Sequence, residues 1–234
     1  YIGLEFGQMF RRFGSQVTIL QRRDQVLPRE DQDIAEELAG ILREDGVDLL
    51  LGSRPLRVQE ADGGSIRLDV TTPGGERSLT GSHLLAAAGR VPNTNRLNLE
   101  AAGIKVDGRG FIPVDGRLET SQPGVYALGD VHGGPAFTHT SYDDFRVIRA
   151  NLLGNGKARV GWRVPAGADS LPYVVFTDPQ LGRVGLTEKE ARTRGLDYRV
   201  AKMPMSWVAR SLEIDEPRGL MKAVVDAGTG PILG

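Results

Sequence analysis

Apolar residues fall into short blocks along this chain, and the blocks predict an alternation of helices and strands. Residues 3–13 read as a helix that opens directly from a glycine. Leu4, Phe6, Met9, Phe10 and Phe13 are spread round it, so it is expected to be well buried, and Gly14 stops it. Residues 17–20 form a short apolar strand. Residues 31–45 carry Ile34, Leu38, Ile41 and Leu42 at helical spacing, with Asp31 or Asp33 as the cap and Gly46 placed just past the end. A strand is predicted at 48–51. Between 54 and 80 two turn signals, Asp62-Gly63-Gly64 and Pro73-Gly74-Gly75, separate alternating stretches such as Ile66, Leu68, Val70, which is the pattern of a three-stranded β-meander. Residues 84–88 are expected to return to the sheet.

Residues 92–110 read as a connector with a short helix at 97–102. Strand-like pieces follow at 111–114 and 124–128, then a helix over 139–153 that ends at Gly154. Near Leu171 the character shifts. Val174-Val175-Phe176, the stretch VGLTEKEARTRG and residues 198–203 suggest a strand–helix–strand unit. Thr187 and Glu190 stand three apart, as a capping box requires.

Composition narrows the field. Hydrophobic content of 40% and charged content of 25% are those of an ordinary globular chain, so a packed core is expected. A net charge of −1 gives no broad pull toward nucleic acid or a membrane surface. No run of about 18 apolar residues exists to cross a bilayer. Glu5, Arg11 and Arg12 interrupt any apolar leader. Cysteine is absent, which excludes a disulfide framework, a thiolate zinc site and dithiol chemistry on these residues. His83, His132 and His139 show no metal-ligand spacing. His132 lies in a glycine-rich loop and is expected to be solvated. His83 has no evident partner.

Three segments carry candidate chemistry. In TSQPGVYALGD the apolar run Val125 to Leu128 stops at Gly129 and Asp130. Glycine admits a ligand close to the backbone, and a carboxylate at a strand's carboxyl end accepts hydrogen bonds from a sugar-like hydroxyl. The chain opens YIGLEFG, in which Gly3 stands where the third glycine of a G-x-G-x-x-G fingerprint would stand. LLAAAGRVPNTN places Gly89 and Arg90 on an exit loop stiffened by Pro92.

Together, in this order and spacing, these segments resemble the FAD-dependent pyridine nucleotide–disulfide oxidoreductases. The mercuric reductase-like branch is the nearest, with dihydrolipoamide dehydrogenase and glutathione reductase as cousins. The resemblance implies an α/β fold: a Rossmann-like NAD(P)-binding domain with its β-meander over 1–94, lacking its first strand; part of a FAD-binding domain over 95–165; and a truncated α+β dimerisation domain over 166–234. It implies a fragment of a cytoplasmic, homodimeric flavoenzyme that passes hydride from NAD(P)H to FAD and on to a disulfide or metal-ion acceptor. The redox cysteines and a His–Glu pair would lie outside these residues. Two alternatives stand beside it: a thiol-independent NAD(P)H oxidase or quinone reductase, and a catalytically inactive fragment with at most weak nucleotide binding.

The resemblance also assigns roles. Asp130 would hold a ribityl hydroxyl of FAD, with Gly129 giving access. Thr138 would stand at a helix N-terminus facing the flavin pyrimidine edge, where the helix dipole favours negative charge. His139 there is a positioning or capping residue; the alternative is an acid–base catalyst. Tyr1 matches an aromatic that covers the flavin; the alternative is an exposed first residue. Gly3 lets the helix pack closely and presents amides to a pyrophosphate. Glu5 would lie beside the nicotinamide and pair with a lysine of the FAD domain, or simply gain from the helix dipole. Gly89 and Arg90 would touch the nicotinamide nucleotide, or Arg90 would make an interdomain salt bridge. Val175 and Phe176 would offer backbone to the nicotinamide amide, or serve the core. Trp207 and Arg210 look like interface residues. At the end of the second strand a NAD enzyme carries an acid. Here Gln21 is followed by Arg22 and Arg23, a pairing that suits the 2′-phosphate of NADP. The alternative is a solvated arginine pair partly neutralised by Asp24.

Overall fold

The computed structural model describes residues 1–154, 156–160 and 171–234. The expected boundary between 165 and 166 lies outside the described residues. Two compact units emerge: Tyr1–Ala87 with Val174–Gly234, and Ala88–Tyr173.

The first unit opens with α1 (Ile2–Arg12) and β1 (Thr18–Leu20), then α2 (Gln32–Glu44) and β2 (Asp48–Leu50). β1 and β2 pair in parallel, with Ile19 opposite Leu49. α1 lies close on β1: a Cβ on Gly7 would come within 2.6 Å of the Ile19 Cδ1. The expectation that α1 is buried all round is corrected. Its buried side is Leu4, Gly7 and Gln8, while Phe6, Phe10 and Phe13 are exposed. At 100° per residue, Phe6 and Phe10 fall on the far face, stacked on each other at 6.2 Å. α2 buries Ala35, Leu38, Ala39, Ile41 and Leu42, a full apolar stripe.

The meander is as the turns demand: β3 (Arg54–Ala61), β4 (Ser65–Thr72) and β5 (Gly75–Gly81), antiparallel in that order. Leu68 and Val70 of β4 form its buried face. Residues 84–88 do not form a strand. No strand lies alongside them among the described residues, and an apolar run without a neighbour has no ladder to join.

β6 (Tyr173–Val175) starts on the last residue of the second unit, and the later part of the first unit continues with β7 (Leu181–Arg183), α4 (Glu188–Thr193), β8 (Tyr198–Pro204), α5 (Ala209–Glu213) and β9 (Leu220–Asp226). β8 and β9 pair antiparallel, with Val200 opposite Val224. The capping box opens α4 as expected: Thr187 Oγ1 accepts from the Glu190 amide and Glu190 returns the bond. Asp31 does not cap α2 with its side chain. Its carboxylate accepts from the Glu188 and Lys189 amides at 2.9 and 3.0 Å, at the start of α4. Lys222 of β9 is only 7% exposed and reaches Asp31, Asp33 and Glu188 at 3.0, 3.0 and 2.9 Å. The charge cluster joins α2, α4 and β9.

The second unit is built on α3 (Thr138–Leu153). Leu118, Val147 and Val160 form its buried cluster. The pieces expected as strands at 111–114 and 124–128 are not strands. Residues 118–127 fold on themselves instead, with Thr120 N–H donating to the Val125 carbonyl and Ala127 N–H to that of Leu118, leaving a single bridge between Glu119 and Tyr126. Among the described residues no further strand extends it.

Candidate functional site

In the first unit, α1 runs back along the sheet and β1 returns. The start of α1 and the end of β1 therefore share the carboxyl edge, where α/β sheets receive ligands. Tyr1 is the N-cap residue and is exposed. The amides of Ile2 and Gly3 have no acceptor among the described residues, so they face outward as donors. A Cβ on Gly3 would touch the Ala87 Cβ at 3.4 Å, so glycine allows the helix start to lie against residue 87.

Glu5, on the next turn, accepts the Phe176 N–H at 2.8 Å. One turn further on, buried Gln8 grips the Asp178 backbone from both sides. Its Oε1 accepts the Asp178 N–H at 2.8 Å and its Nε2 donates to the Asp178 carbonyl at 2.9 Å. Arg12 adds an ion pair with the Asp178 carboxylate. α1 is thus fastened to residues 176–178 by three side chains on one face. Val175 is fully buried, so its side chain serves the core and only its backbone can meet a ligand, whereas Phe176 is 73% exposed. Sequence reasoning missed Gln8. A glutamine at the spacing of Leu4 on the buried face was the signal.

After β1, Gln21 donates its amide to the Leu50 carbonyl and accepts from Ser53, while the Arg23 carbonyl accepts from Gly52. This fixes the backbone of 21–23 over the edge. The guanidinium groups of Arg22 and Arg23 make no ion pair among the described residues, and Asp24 pairs with neither. Two free, fixed-charge forks at this edge are suited to a phosphate.

In the second unit, Gly89 takes φ +110°, open to glycine at little cost. Arg90 Nη1 meets Asp130 Oδ2 at 2.7 Å, so the two expected ligand residues stand together. Asp130 sits in a tight 3₁₀ turn, Gly129–His132. Gly129 has φ +74°, and a Cβ there would come within 3.2 Å of the Ser141 Oγ. α3 begins just beyond. Its N-cap residue Phe137 supplies no side-chain acceptor, and the amides of Thr138, His139 and Thr140 find none among the described residues. These donors and the Asp130 carboxylate match what a flavin with its ribityl chain asks for: an acceptor for a hydroxyl and donors for a carbonyl that gains charge. His139 stacks on Phe137 at 5.3 Å, and Phe137 on Tyr173 at 5.4 Å.

His132 corrects the expectation of a solvated ring. Its side chain is 1% exposed and that of Asp144 is 0%, and Nε2 lies 2.8 Å from Asp144 Oδ2. The signal for this pair was on α3, where Thr140, Asp144 and Val147 are spaced as one buried stripe. A carboxylate on such a stripe must find a donor.

Trp207 is exposed, and Arg210 pairs with Glu213. Among the described residues no helix is long and apolar enough to cross a membrane, and no cluster of potential metal ligands occurs.

Residues 1–144 match the family described as pyridine nucleotide-disulphide oxidoreductase, and residues 171–234 match its dimerisation domain. Over its whole length the chain is 43% identical to the "Probable pyridine nucleotide-disulfide oxidoreductase RclA" of Escherichia coli K12, covering 51% of that protein. It is 38% identical to a dihydrolipoyl dehydrogenase of Thermus scotoductus, covering 49% of it. It is 36% identical to a mercuric reductase of Bacillus cereus, covering 36% of it. Among solved structures, the HOCl-induced flavoprotein disulfide reductase RclA from Escherichia coli aligns with the whole chain at a TM-score of 0.86 and 42% identity, the match covering 51% of that structure. LpdA from Mycobacterium tuberculosis aligns at 0.85 and 29% identity, over 99% of this chain and 48% of its own. The chain spans about half or less of the length of these relatives.

Proposed function

Since the chain belongs to the pyridine nucleotide-disulphide oxidoreductase family, we propose that it supplies most of a nicotinamide-nucleotide site and one wall of a FAD site in a homodimeric, cytoplasmic flavoprotein reductase. Residues 1–94 are the nucleotide part, 95–165 belong to the flavin part and 166–234 to the dimer part. The observation that carries this reading is the Gly129–Asp130 turn, which sets a carboxylate beside a helix start whose three leading amides find no acceptor among the described residues.

FAD, when bound, supplies the two-electron relay between NAD(P)H and the acceptor. Asp130 accepts a hydrogen bond from the ribityl chain, and Gly129 lets the chain lie against the backbone. The Thr138 amide and its successors donate to the pyrimidine edge, with the α3 dipole favouring negative charge there. On the nucleotide side, the amides of Ile2 and Gly3 bind pyrophosphate. Glu5, held by the Phe176 amide, positions the 175–176 backbone for the nicotinamide, and Tyr1 shields the entry. In the second unit, Gly89 and Arg90 form the loop assigned to nucleotide contact, with Arg90 oriented by Asp130. Arg22 and Arg23 fork a 2′-phosphate, so NADPH is the reductant. The acceptor is a disulfide or a metal ion, as the names of a disulfide reductase and a mercuric reductase among the relatives suggest.

FAD content tests the reading. The full-length protein should purify with, or take up, stoichiometric FAD, and Asp130→Ala should lose most of it. An Asp130→Ala protein that holds FAD as firmly as the parent would overturn the assignment.

A further inference from the structure

Asp130 lies within a short loop, Gly129 to Gly134, that is difficult to hold still. Gly129 and Gly133 both have positive φ, +74° and +77°. Glycine has more backbone freedom to lose on ordering than any other residue, so such a loop needs specific fastening. The fastening comes from two buried side chains. Asp144 Oδ2 accepts the Gly129 N–H at 2.9 Å and the His132 Nε2 proton at 2.8 Å. His132 Nδ1 accepts the Gly134 N–H at 3.2 Å. Because Nδ1 is the acceptor, the network puts the ring proton on Nε2, which is what Asp144 requires. A single carboxylate oxygen and a single ring therefore hold the loop at its start, middle and end. Asp130 stands between the two positions that Asp144 holds, and its own carboxylate stays partly exposed.

We propose that His132 and Asp144 act as a buried clamp that positions Asp130 for the flavin, so that flavin affinity depends on two side chains that do not touch it. The inference rests on the flavin-binding reading above. His132 is a positioning residue. It acts through the turn from a buried place, while the Asp130 carboxylate, which also meets Arg90, stays partly exposed. The clamp differs from the unit's apolar packing, which is centred on Leu118, Val147 and Val160. It adds direction where packing adds only cohesion.

The test uses the full-length protein stripped of FAD and titrated with FAD by flavin fluorescence. His132→Phe keeps a ring and removes both bonds. His132→Gln restores a donor near the Nε2 position. His132→Phe should weaken FAD binding at least tenfold, and His132→Gln should recover it to within about threefold of the parent. Equal affinity of parent and His132→Phe overturns the clamp, and so does an equal loss in both variants, since size rather than hydrogen bonding would then matter. If His132→Phe does not fold, amide exchange in the unsubstituted, FAD-free protein decides: Gly129 and Gly134 should be protected at least a hundredfold, and free exchange at both overturns the proposal. A parent protein that takes up no FAD would refute the flavin reading itself, and the clamp with it.

Discussion

Lys222→Met removes the one cation that Asp31 and Glu188 share among the described residues. The lysine side chain is 7% exposed, and those of its three carboxylate partners are between a tenth and about a quarter exposed, at 2.9 to 3.0 Å. Burial alone would lower the lysine's pKa. Hydrogen bonds to Glu188, Asp33 and Asp31 outweigh it and hold Lys222 well above lysine's ordinary range. Removing one partner of a buried ionic cluster costs roughly 3–5 kcal/mol. Asp31 keeps two amides and Asp33 keeps Lys202, so the low end applies, about 3 kcal/mol. For a folded unit of 150–250 residues that is a fall in Tm of about 6–12 °C at pH 7. The pH dependence carries a second check. Asp33 is held below its ordinary value of 3.8, because Lys202 and Lys222 outweigh the opposing effect of burial. Glu188 lies below its ordinary 4.5, chiefly through Lys222. Groups with lowered folded values stabilise fully above their unfolded values and lose that contribution as the pH falls through the folded ones. The gap between parent and variant should therefore be widest at neutral pH and shrink as the pH falls below 4.5 and 3.8, the ordinary values of the two groups. Differential scanning of both proteins from pH 7 to pH 3 measures it. A Tm difference under about 2 °C at pH 7, or one that does not shrink in acid, would refute the argument that a desolvated cluster joins β9 to α2 and α4.

Three further outcomes follow from the sites. Arg22→Ala with Arg23→Ala should raise KM for NADPH by about 10–100-fold, the worth of charge-assisted bonds at 1.5–3 kcal/mol, and leave KM for NADH within about twofold; steady-state assays with both nucleotides check this. Gly129→Ala should cost about 1–2 kcal/mol for a left-handed alanine, and more for its approach to Ser141, seen as a lower Tm and FAD loss. Glu5→Gln keeps an acceptor for the Phe176 amide but loses the charge, so FAD content should hold while flavin reduction by NADPH slows, by about tenfold if one charge-assisted bond is halved in strength; stopped-flow reduction measures it.

What the sequence made legible was local. Gly63-Gly64 and Gly74-Gly75 marked the meander because hairpin turns need residues that accept positive φ, and Thr187 with Glu190 marked α4 because a capping box is closed within four residues. The stripe of α2 was legible because one face meets the core. What stayed hidden depends on distant partners. The apolar runs at 84–88 and 124–128 show that those residues can be buried, and say nothing of whether a neighbouring strand is there to pair with. Asp31 looked like the cap of its own helix and instead caps α4, more than 150 residues on. The three phenylalanines of α1 suggested burial by their size, but their spacing put them outside. Candidate site residues were legible as types, a glycine before an acid or a pair of arginines after a strand. The supports beneath them, Gln8 under Glu5 and His132 with Asp144 under Asp130, are polar side chains whose meaning depends on burial.

These residues are proposed to serve electron transfer from NADPH through FAD. Its most direct test is the visible spectrum of the full-length, FAD-loaded protein mixed anaerobically with NADPH and, separately, with NADH. NADPH should bleach the flavin band at turnover-competent rates, and NADH should do so at least tenfold more slowly at equal concentration. A flavin band that neither nucleotide bleaches, or a protein that takes up no flavin, would contradict it.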